Sequence, residues 1–258
     1  QSKEASPPNY ISFGSDSPTR IGDFGIETVN GMSWLVQAQT TELAPQYKRG
    51  KEVVETEFVL QKLMPTEALR IRGRHNVLNA LAALCLMQSV TSSMAPILYG
   101  LREYKGEPHR VEPITIIREV EYFDDSKGTN VGATVAAIEG LGPDRKLVMI
   151  LGGDGKGQDF SPLIQPLAKY ARAVVLIGKD GPTIGQVLAQ ANYPIFEANN
   201  LAQAVQTAAE HACAGDAVLL SPACASLDMF KNYAHRAEVF IQAVQDLEHQ
   251  IPNGSDYA

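Results

Sequence analysis

Hydrophobic and polar positions follow two different rhythms along this chain. From about residue 114 onward, short continuous apolar runs end in Gly or Ser loops and alternate with stretches that have apolar residues at helical spacing. Apolar strands connected by helices are typical of a parallel sheet that helices cover on both faces. The pattern predicts an α/β fold, a Rossmann-like domain with a parallel-rich sheet. The apolar runs are Lys146 to Leu151, Ala173 to Ile177 and Ala217 to Leu220, and the helical stretches are near Val131 to Leu141, Ser161 to Ala171 and Leu201 to Ala212.

The first part of the chain has a different pattern. Apolar and polar residues alternate in Ser33 to Gln39 and in Glu57 to Gln61, which predicts a small antiparallel sheet. Helical spacing then follows in Asn76 to Val90 and in the shorter stretch Ala95 to Tyr104. Together these elements predict the C-terminal part of one domain.

A polar segment separates the two patterns. Lys105 to Pro113 contains one Gly and two Pro residues, and such segments are common at domain boundaries. We therefore expect two domains, residues 1–106 and 107–258, with a hinge at about residues 105–113.

Composition and charge exclude several classes of protein. The chain has 258 residues, 45% of them hydrophobic, and is long enough to bury one large core or two smaller ones. Its net charge of -7 and the lack of any sustained Lys/Arg run argue against a nucleic-acid partner. No apolar run reaches the roughly 18 to 20 residues of a membrane helix, and the N-terminal residues lack the pattern of a signal peptide. We expect a soluble, cytoplasmic monomer without a membrane partner.

The three cysteines, Cys85, Cys213 and Cys224, are widely spaced among apolar or small residues. This context favours reduced thiols over a disulfide framework or a zinc site. We expect each of them to be packed and chemically inert.

Ligands of parallel α/β sheets bind outside the carboxyl ends of the strands. Candidate chemistry is therefore expected in four loops, Asp124 to Asn130, Gly152 to Gly157, Gly178 to Gly181 and Ser221 to Asp228. The first of these follows a strand-like stretch, Thr115 to Phe123, and precedes a helix.

The first loop combines two acids with a lysine. Thr129 or Asn130 can cap the following helix, whose free amide groups favour an anion. The acids suit sugar hydroxyls, and Lys127 suits a phosphate or a carboxylate. A solvated turn that only caps the helix is an equally good interpretation.

The second loop is rich in glycine. Ile150 and Gly157 stand where a Walker phosphate loop needs Gly and Ser or Thr, which excludes a nucleotide P-loop here. The glycines still allow the backbone to approach a ligand, and Lys156 offers a charge to an anion. A tight turn between a strand and a helix is the alternative.

Three further segments offer polar groups. Ser221 to Asp228 has donors for a carboxylate but lacks the nucleophile elbow of a serine hydrolase, which we exclude. His109-Arg110 in the hinge is either a surface pair or a group that reaches a phosphate. Helix capping explains Asn76, but it does not explain Asn79 on the next turn.

Taken together, these segments resemble the Mur ligase family in order and in spacing, from about residue 60 to about residue 245. The loop with Asp125 and Lys127 is most similar to that of the members that add D-glutamate. Sister ligases and folylpolyglutamate synthetases share the Asn and Arg motifs but typically differ in that loop. The matching motifs are Gly73-Arg74-His75-Asn76-x-x-Asn79, Pro108-His109-Arg110, Asp125-Ser126-Lys127-Gly128-Thr129-Asn130, Gly152-Gly153-Asp154-Gly155-Lys156, Ser221-Pro222-Ala223-Cys224-Ala225-Ser226 and Phe230-Lys231-Asn232.

The resemblance implies an ATP-dependent ligase that makes an acyl phosphate, which the amine of an amino acid then attacks. Its implied substrates are UDP-N-acetylmuramoyl-L-alanine and D-glutamate, in cytoplasmic peptidoglycan precursor synthesis, and it implies ATP and Mg²⁺ as cofactors. Residues 1–106 would be the C-terminal part of the central ATP-binding domain, and residues 107–258 the C-terminal ligase domain.

The resemblance assigns one group of residues to the nucleotide. Asn76 and Asn79 would contact adenine, and Asp125 would contact the ribose hydroxyls. His109 would also lie at the nucleotide, and Arg110 at the transferring phosphate. The catalytic residues that the resemblance implies are Arg110, Lys127 and Lys156.

A second group is assigned to the substrates. Lys127 would help to neutralise the phosphate and acyl-phosphate region. Thr129 and Lys156 would hold one carboxylate of D-glutamate, and Ser226, with the backbone near Tyr233, would hold the other. The implied substrate-binding residues are Lys127, Thr129, Lys156, Ser226, Leu227 and Tyr233.

Several parts of such a ligase are expected upstream of Gln1. These are the UDP-binding domain, the phosphate loop, the magnesium ligands and the carbamylated lysine, so we expect no metal ligand and no turnover from this chain alone. The alternatives are another Mur-type or folylpolyglutamate-type ligase, or a non-catalytic nucleotide-binding fragment. The last would need a Gly-x-Gly-x-x-Gly turn, which the sequence lacks.

Overall fold

The computed structural model describes residues 10–40 and 58–250. Its contacts divide the chain into two compact units, Gln1–Arg70 with Asn76–Lys105, and Ile71–His75 with Gly106–Ala258. The predicted strand Glu57 to Gln61 begins outside the described residues, and its described part belongs to a strand.

The first unit contains a small antiparallel sheet, as predicted. Strand β2 lies between β1 and β3 and pairs antiparallel with both. Leu35 and Val36 of β2 are fully buried, as are Leu81 and Leu84 of the helix that follows the sheet. The elements are β1 (Phe24–Val29), β2 (Met32–Thr40), β3 (Phe58–Pro65), α1 (Arg74–Gln88) and α2 (Met94–Glu103).

The second unit is built on a sheet of six strands in the order β4-β5-β9-β6-β7-β8. The strands from β5 to β8 in this order are parallel, and β4 pairs antiparallel with β5 at one edge. The predicted parallel-rich sheet is therefore confirmed. Its strands are β4 (Glu112–Ile117), β5 (Val120–Asp124), β6 (Leu147–Gly152), β7 (Ala171–Ile177), β8 (Ile195–Glu197) and β9 (Ala217–Leu220).

Helices cover both faces of this sheet. In β6, Met149 contributes to one hydrophobic core, whereas Val148 and Ile150 contribute to the other. Removing each such side chain from water contributes about 1.5–3 kcal/mol, which explains why the strands are continuously apolar. The first core packs against α3 (Val131–Leu141), α4 (Ile164–Tyr170) and α5 (Gly181–Val187), and the second against α6 (Leu201–His211) and α7 (Tyr233–Gln250).

The prediction of one strand-like stretch over Thr115 to Phe123 is wrong. Two antiparallel strands, β4 and β5, occupy this region, and Ile117 pairs with Val120 across a tight turn. Arg118 and Glu119 in that turn both have positive φ, 51° and 63°. Two-residue hairpins of this kind usually contain Asn or Gly, so the sequence gives no sign of the turn.

The cysteines differ in their surroundings. Cys224 is fully buried, and burial raises the pKa of its thiol to about 12, so this thiol is inert as predicted. Cys213 is exposed in the turn after α6, so the prediction of packing is wrong there. Within the described residues, no helix combines the length and the apolar character that crossing a membrane requires.

Candidate functional site

The four predicted loops lie side by side at the carboxyl edge of the second sheet. Residues 124–130 follow β5, residues 221–228 follow β9, residues 152–157 follow β6 and residues 178–181 follow β7, and these strands are neighbours in that order. We refer to the four segments as the carboxyl-edge loops. Backbone hydrogen bonds connect them, such as Gly152 N to Pro222 O at 2.9 Å and Asp180 N to Gly153 O at 2.9 Å. The sheet therefore holds loops that are far apart in sequence next to one another.

Glycines allow the loop after β6 to make these contacts. Gly152 and Gly153 have φ values of 123° and 130°. A Cβ atom would lie 1.9 Å from the Ile177 oxygen at Gly152, and 2.3 Å from the Ala225 oxygen at Gly153. Asp154 and Ala225 then form an antiparallel bridge with N–O distances of 3.0 and 2.9 Å. The loops of Lys156 and Ser226 are thus joined by main-chain contacts.

His109 is attached to the first of these loops. Its Nδ1 atom lies 2.7 Å from Oδ2 of the buried Asp124, and its carbonyl oxygen accepts from Lys127 N at 3.0 Å. Asp124 Oδ1 also accepts from the backbone N and the hydroxyl of Ser126, at 2.9 and 2.6 Å. His109 is therefore half-buried and hydrogen-bonded to the loop, unlike a residue of a simple surface pair, whereas Arg110 is exposed.

Asp125 lies beneath the same loop, with only 6% of its surface exposed. Its carboxylate accepts from the Ser221 hydroxyl at 2.6 Å and from Val111 N at 3.3 Å. Burial raises the pKa of Asp125 to about 6, although the hydrogen bond from Ser221 opposes this shift. A Cβ atom at position 128 would lie 2.5 Å from Asp125 Oδ2, so Gly128 leaves room for the carboxylate.

Lys127 and Tyr233 form the aromatic part of the site. The Lys127 ammonium lies 4.0 Å from the centre of the Tyr233 ring, and the His109 ring meets the same ring edge-on at 6.0 Å. Tyr233 is the first residue of α7. The start of this helix thus contacts the first carboxyl-edge loop.

The predicted D-glutamate residues lie on three of the carboxyl-edge loops or beside them. Thr129 is half-buried just before α3, whose N-cap is Asn130, with its side chain accepting from Ala133 N at 2.9 Å. Ser226 is 4% exposed and Leu227 is 66% exposed. Lys156 is exposed and has a φ of 52°, a conformation that few non-glycine residues adopt.

Four of the seven non-glycine residues with positive φ in the described part of the chain lie on the carboxyl-edge loops or beside them. Besides Lys156, positive φ values occur at His109 (63°), Val111 (48°) and Ala223 (58°). Such conformations cost about 1–3 kcal/mol each and cluster at functional sites. They support the carboxyl edge as the place where this unit binds a ligand.

Asn76 and Asn79 belong to the first unit. Helix α1 begins at Arg74, so the capping role considered for Asn76 is wrong, and Asn76 lies in the first turn. Asn79 Nδ2 donates to Asn76 Oδ1 at 3.2 Å. The two amides therefore form one polar patch on this helix.

Sequence reasoning missed Arg236. This residue is fully buried in α7, and its guanidinium donates to Cys224 O at 3.1 Å and to Ser126 O at 2.9 Å. Burial lowers the pKa of Arg236 to about 10. The signal was present in the helical spacing of Arg236, Ala237, Phe240 and Val244, which places the arginine on an apolar face.

One group of described side chains has the spacing of a metal site, namely His109, Glu112 and Asp124, whose ligand atoms lie within 4.8 Å of one another. Both Asp124 oxygens already accept hydrogen bonds, from His109 and from Ser126. Glu112 Oε2 likewise accepts from His109 N at 2.8 Å. This mixed, internally paired set does not fit Mg²⁺, which prefers six oxygen ligands in octahedral geometry.

A cavity of about 340 Å³ lies beside the carboxyl ends of β7 and β8. Gly178, Gly181, Glu197, Asn199 and Met229 are among its lining residues. None of the predicted site residues lines it.

Part of the second unit matches a known protein family in sequence. Residues 109–224 match the family described as Mur ligase, glutamate ligase domain. Over this stretch the chain matches the glutamate ligase domain of the Mur ligases, the family that its motifs predicted.

Individual relatives are more specific. The chain is similar to the UDP-N-acetylmuramoylalanine–D-glutamate ligase of Albidiferax ferrireducens, at 60% identity over 238 residues, 92% of this chain and 46% of the relative. It is also similar to the ligase of that name from Burkholderia multivorans, at 54% identity over 248 residues, 94% of this chain and 49% of the relative. The chain thus spans about half the length of the curated relatives it matches.

Solved structures agree on the fold. A UDP-N-acetylmuramate-alanine ligase from Thermotoga maritima matches with a TM-score of 0.56 at 18% identity, over 91% of this chain and 48% of that chain. MurF from Acinetobacter baumannii matches with a TM-score of 0.57 at 18% identity, over 92% of this chain and 46% of that chain. The predicted α/β class with a parallel-rich, Rossmann-like sheet is confirmed.

Proposed function

We propose that the protein containing this chain joins D-glutamate to UDP-N-acetylmuramoyl-L-alanine with ATP, in peptidoglycan precursor synthesis. The names of its relatives support this reaction, and so does the Asp125-Ser126-Lys127 loop that the resemblance assigns to the D-glutamate-adding members. Residues 107–258 are the ligase domain in this proposal, and residues 1–106 the C-terminal part of the ATP-binding domain.

The observation that carries the proposal is that cationic and hydrogen-bonding residues stand on loops that follow adjacent strands. Lys127 and Thr129 follow β5, Lys156 follows β6 and Ser226 follows β9, three strands that are neighbours in the sheet. D-Glutamate carries two carboxylates about one short side chain apart. Positive charges and hydroxyl donors on neighbouring loops suit such a ligand.

In this proposal Thr129 and Lys156 bind one carboxylate, and Ser226 with the backbone near Tyr233 binds the other, beside Leu227. This leaves the amine of D-glutamate free to react. The substrate carboxylate attacks the terminal phosphorus of ATP and releases ADP. The amine then attacks the acyl carbon, loses a proton and expels inorganic phosphate, so that an amide forms.

Arg110 and Lys127 stabilise the negative charge of the phosphate in this scheme. Mg²⁺ would neutralise phosphate charge when bound, and we expect its ligands upstream of this chain. His109 and Asp125 contact the nucleotide, Asp125 through the ribose hydroxyls, and Asn76 and Asn79 contact adenine. We further propose that the enzyme is monomeric and that it is cytoplasmic; the three free cysteines support the second of these.

Amino-acid-dependent release of phosphate tests the proposal. The full-length gene product, supplied with ATP, Mg²⁺ and UDP-N-acetylmuramoyl-L-alanine, is assayed with D-glutamate, L-glutamate, L-alanine and meso-diaminopimelate. Of these four amino acids, we expect only D-glutamate to support turnover. Turnover with L-glutamate or meso-diaminopimelate instead would favour a different ligase of the family, and no turnover with any of the four would favour a non-catalytic nucleotide-binding protein.

A further inference from the structure

Arg236 is the largest side chain among the fully buried residues of the described chain. It lies on the face of α7 that also buries Ala237, Phe240 and Val244. None of the ion pairs found within residues 10–40 and 58–250 involves it. Two of its guanidinium nitrogens instead donate to main-chain carbonyl groups, Nη1 to Cys224 O and Nη2 to Ser126 O, whereas Nε is buried without a hydrogen-bond partner.

These two carbonyl groups belong to different carboxyl-edge loops. Ser126 directly precedes Lys127, and Cys224 lies two residues before Ser226. The loops follow β5 and β9, which are adjacent parallel strands. The guanidinium group thus connects the loop proposed to hold phosphate and one carboxylate with the loop proposed to hold the other carboxylate.

Stability alone does not account for a charged group at this position. Burying a guanidinium carries a large desolvation penalty, which Asp124, Asp125 and Asp228 offset only from beyond ion-pair distance. An apolar side chain at this position of α7 would pack against the sheet without that penalty. Arginine offers something that an apolar side chain and lysine lack. Its planar guanidinium presents donors in fixed directions, so it holds two acceptors at a fixed separation.

We propose that Arg236 is a positioning residue of the amino-acid site: by bridging the Ser126 and Cys224 carbonyls, it sets the distance between Lys127 and Thr129 on one loop and Ser226 on the other. The inference rests on the proposed function, because it assumes that these loops bind one amino acid. Arg236 itself contacts no substrate in this account.

The test compares Arg236→Lys with Phe240→Leu in the full-length gene product. Lysine keeps the charge but loses the two-pronged donor. Phe240 is equally buried on the same helix face, but it packs in the hydrophobic core between α6, α7 and the sheet. We expect Arg236→Lys to raise the KM for D-glutamate by about tenfold or more and to lower kcat by up to about 100-fold. The KM for ATP should rise less than the KM for D-glutamate, because Asn76 and Asn79, the proposed adenine contacts, lie in the other unit, whereas Asp125 and Lys127 lie on a bridged loop.

Phe240→Leu should lower the unfolding temperature while leaving the KM for D-glutamate near that of the wild type. If both variants raise this KM equally at matched loss of stability, Arg236 only anchors the helix and the inference is overturned. If Arg236→Lys does not yield folded protein, Arg236→Gln, which retains one planar donor group, takes its place.

Hydrogen exchange separates this inference from the proposed function. In the absence of ligands, peptides covering residues 124–130 and 221–228 should exchange faster in the Arg236 variant than in Phe240→Leu. Equal exchange would contradict the bridging role even in an active enzyme. If these peptides exchange faster in the Arg236 variant but the wild-type protein shows no turnover with D-glutamate, the bridge is supported and the proposed substrate is rejected.

Discussion

The ammonium group of Lys127 lies 4.0 Å from the centre of the Tyr233 ring. Lys127 is on the loop after β5, whereas Tyr233 begins α7, more than a hundred residues later in the chain. The attraction between a cation and an aromatic face contributes about 0.5–2 kcal/mol, depending on exposure. The ring therefore helps to hold the lysine in the orientation proposed for catalysis.

Replacing the ring is expected to reduce turnover. Tyr233→Leu removes the aromatic face, and we predict a loss in kcat/KM of about 2- to 30-fold, the equivalent of about 0.5–2 kcal/mol. Tyr233→Phe is the matched control, because it keeps the ring and removes only the hydroxyl group. Steady-state kinetics of the full-length gene product measure both; equal losses in the two variants would assign the effect to the hydroxyl instead.

Lys156 is predicted to govern the affinity for D-glutamate. Lys156→Ala removes a cation from a carboxylate, a contact that contributes about 1.5–3 kcal/mol, so the KM for D-glutamate should rise by about 10- to 150-fold. Alanine is preferred to glycine because it does not relax the positive φ at this position. Lys179→Ala, which removes an exposed lysine paired with Asp154, serves as the control. An unchanged KM in Lys156→Ala would remove Lys156 from the site.

Arg110 is predicted to act on the reacting phosphate more than on resting nucleotide. It is exposed, and it belongs to the unit of the carboxyl-edge loops, not to the unit of Asn76 and Asn79. Arg110→Lys keeps the charge and loses the planar donor, so turnover should fall strongly while ATP affinity stays within a few-fold. Calorimetric ATP binding beside steady-state turnover measures this. A parallel collapse of both would make Arg110 a nucleotide anchor.

Asp125 is predicted to make stability depend on pH in an unusual direction. Its pKa of about 6 in the folded protein lies above the ordinary value of 3.8. Between these values the folded state keeps a proton that the unfolded state has lost, so this group's contribution falls as pH rises from about 4 to about 6. The total change is about 3 kcal/mol at most. Above pH 6 the contribution is constant.

Urea unfolding of the wild type and of Asp125→Asn across this range isolates the effect. Carboxylates such as Asp154, whose pKa is lowered by the Lys156 amide, give the opposite slope in both proteins and cancel in the difference. If the difference between the two proteins does not change between pH 4 and 6, the Asp125 carboxyl is already ionised in the fold. ATP titration of the same variant tests the proposed ribose contact separately.

The sequence predicted the sheet well where burial alone determines it. Strands β6 and β9 and residues 173–177 of β7 are buried on both faces, so they are continuously apolar and can be recognised without a structure. Helix α3 was predicted from Val131 to Leu141, the bounds that the structure has. Other elements were not predicted: β1, the three residues of β8, the seven of α5, the 18 of α7, and the turn at Arg118 and Glu119.

The candidate site divides in the same way. The position of each loop after a strand was predictable, because parallel strands place their carboxyl ends at one edge. The contacts that arrange the loops depend on tertiary distances that no local pattern encodes. The pairing of His109 with Asp124, the burial of Asp125 and the bridge made by Arg236 are of this kind.

An isotope-transfer experiment tests the proposed reaction most directly. The full-length gene product is given UDP-N-acetylmuramoyl-L-alanine with both carboxylate oxygens labelled with ¹⁸O, together with ATP, Mg²⁺ and D-glutamate, and the inorganic phosphate is analysed by mass spectrometry. An acyl-phosphate route predicts one ¹⁸O atom in each phosphate released and one in the amide product, only when D-glutamate is present. Phosphate without the label, or labelled phosphate formed with another amino acid in place of D-glutamate, would contradict the account.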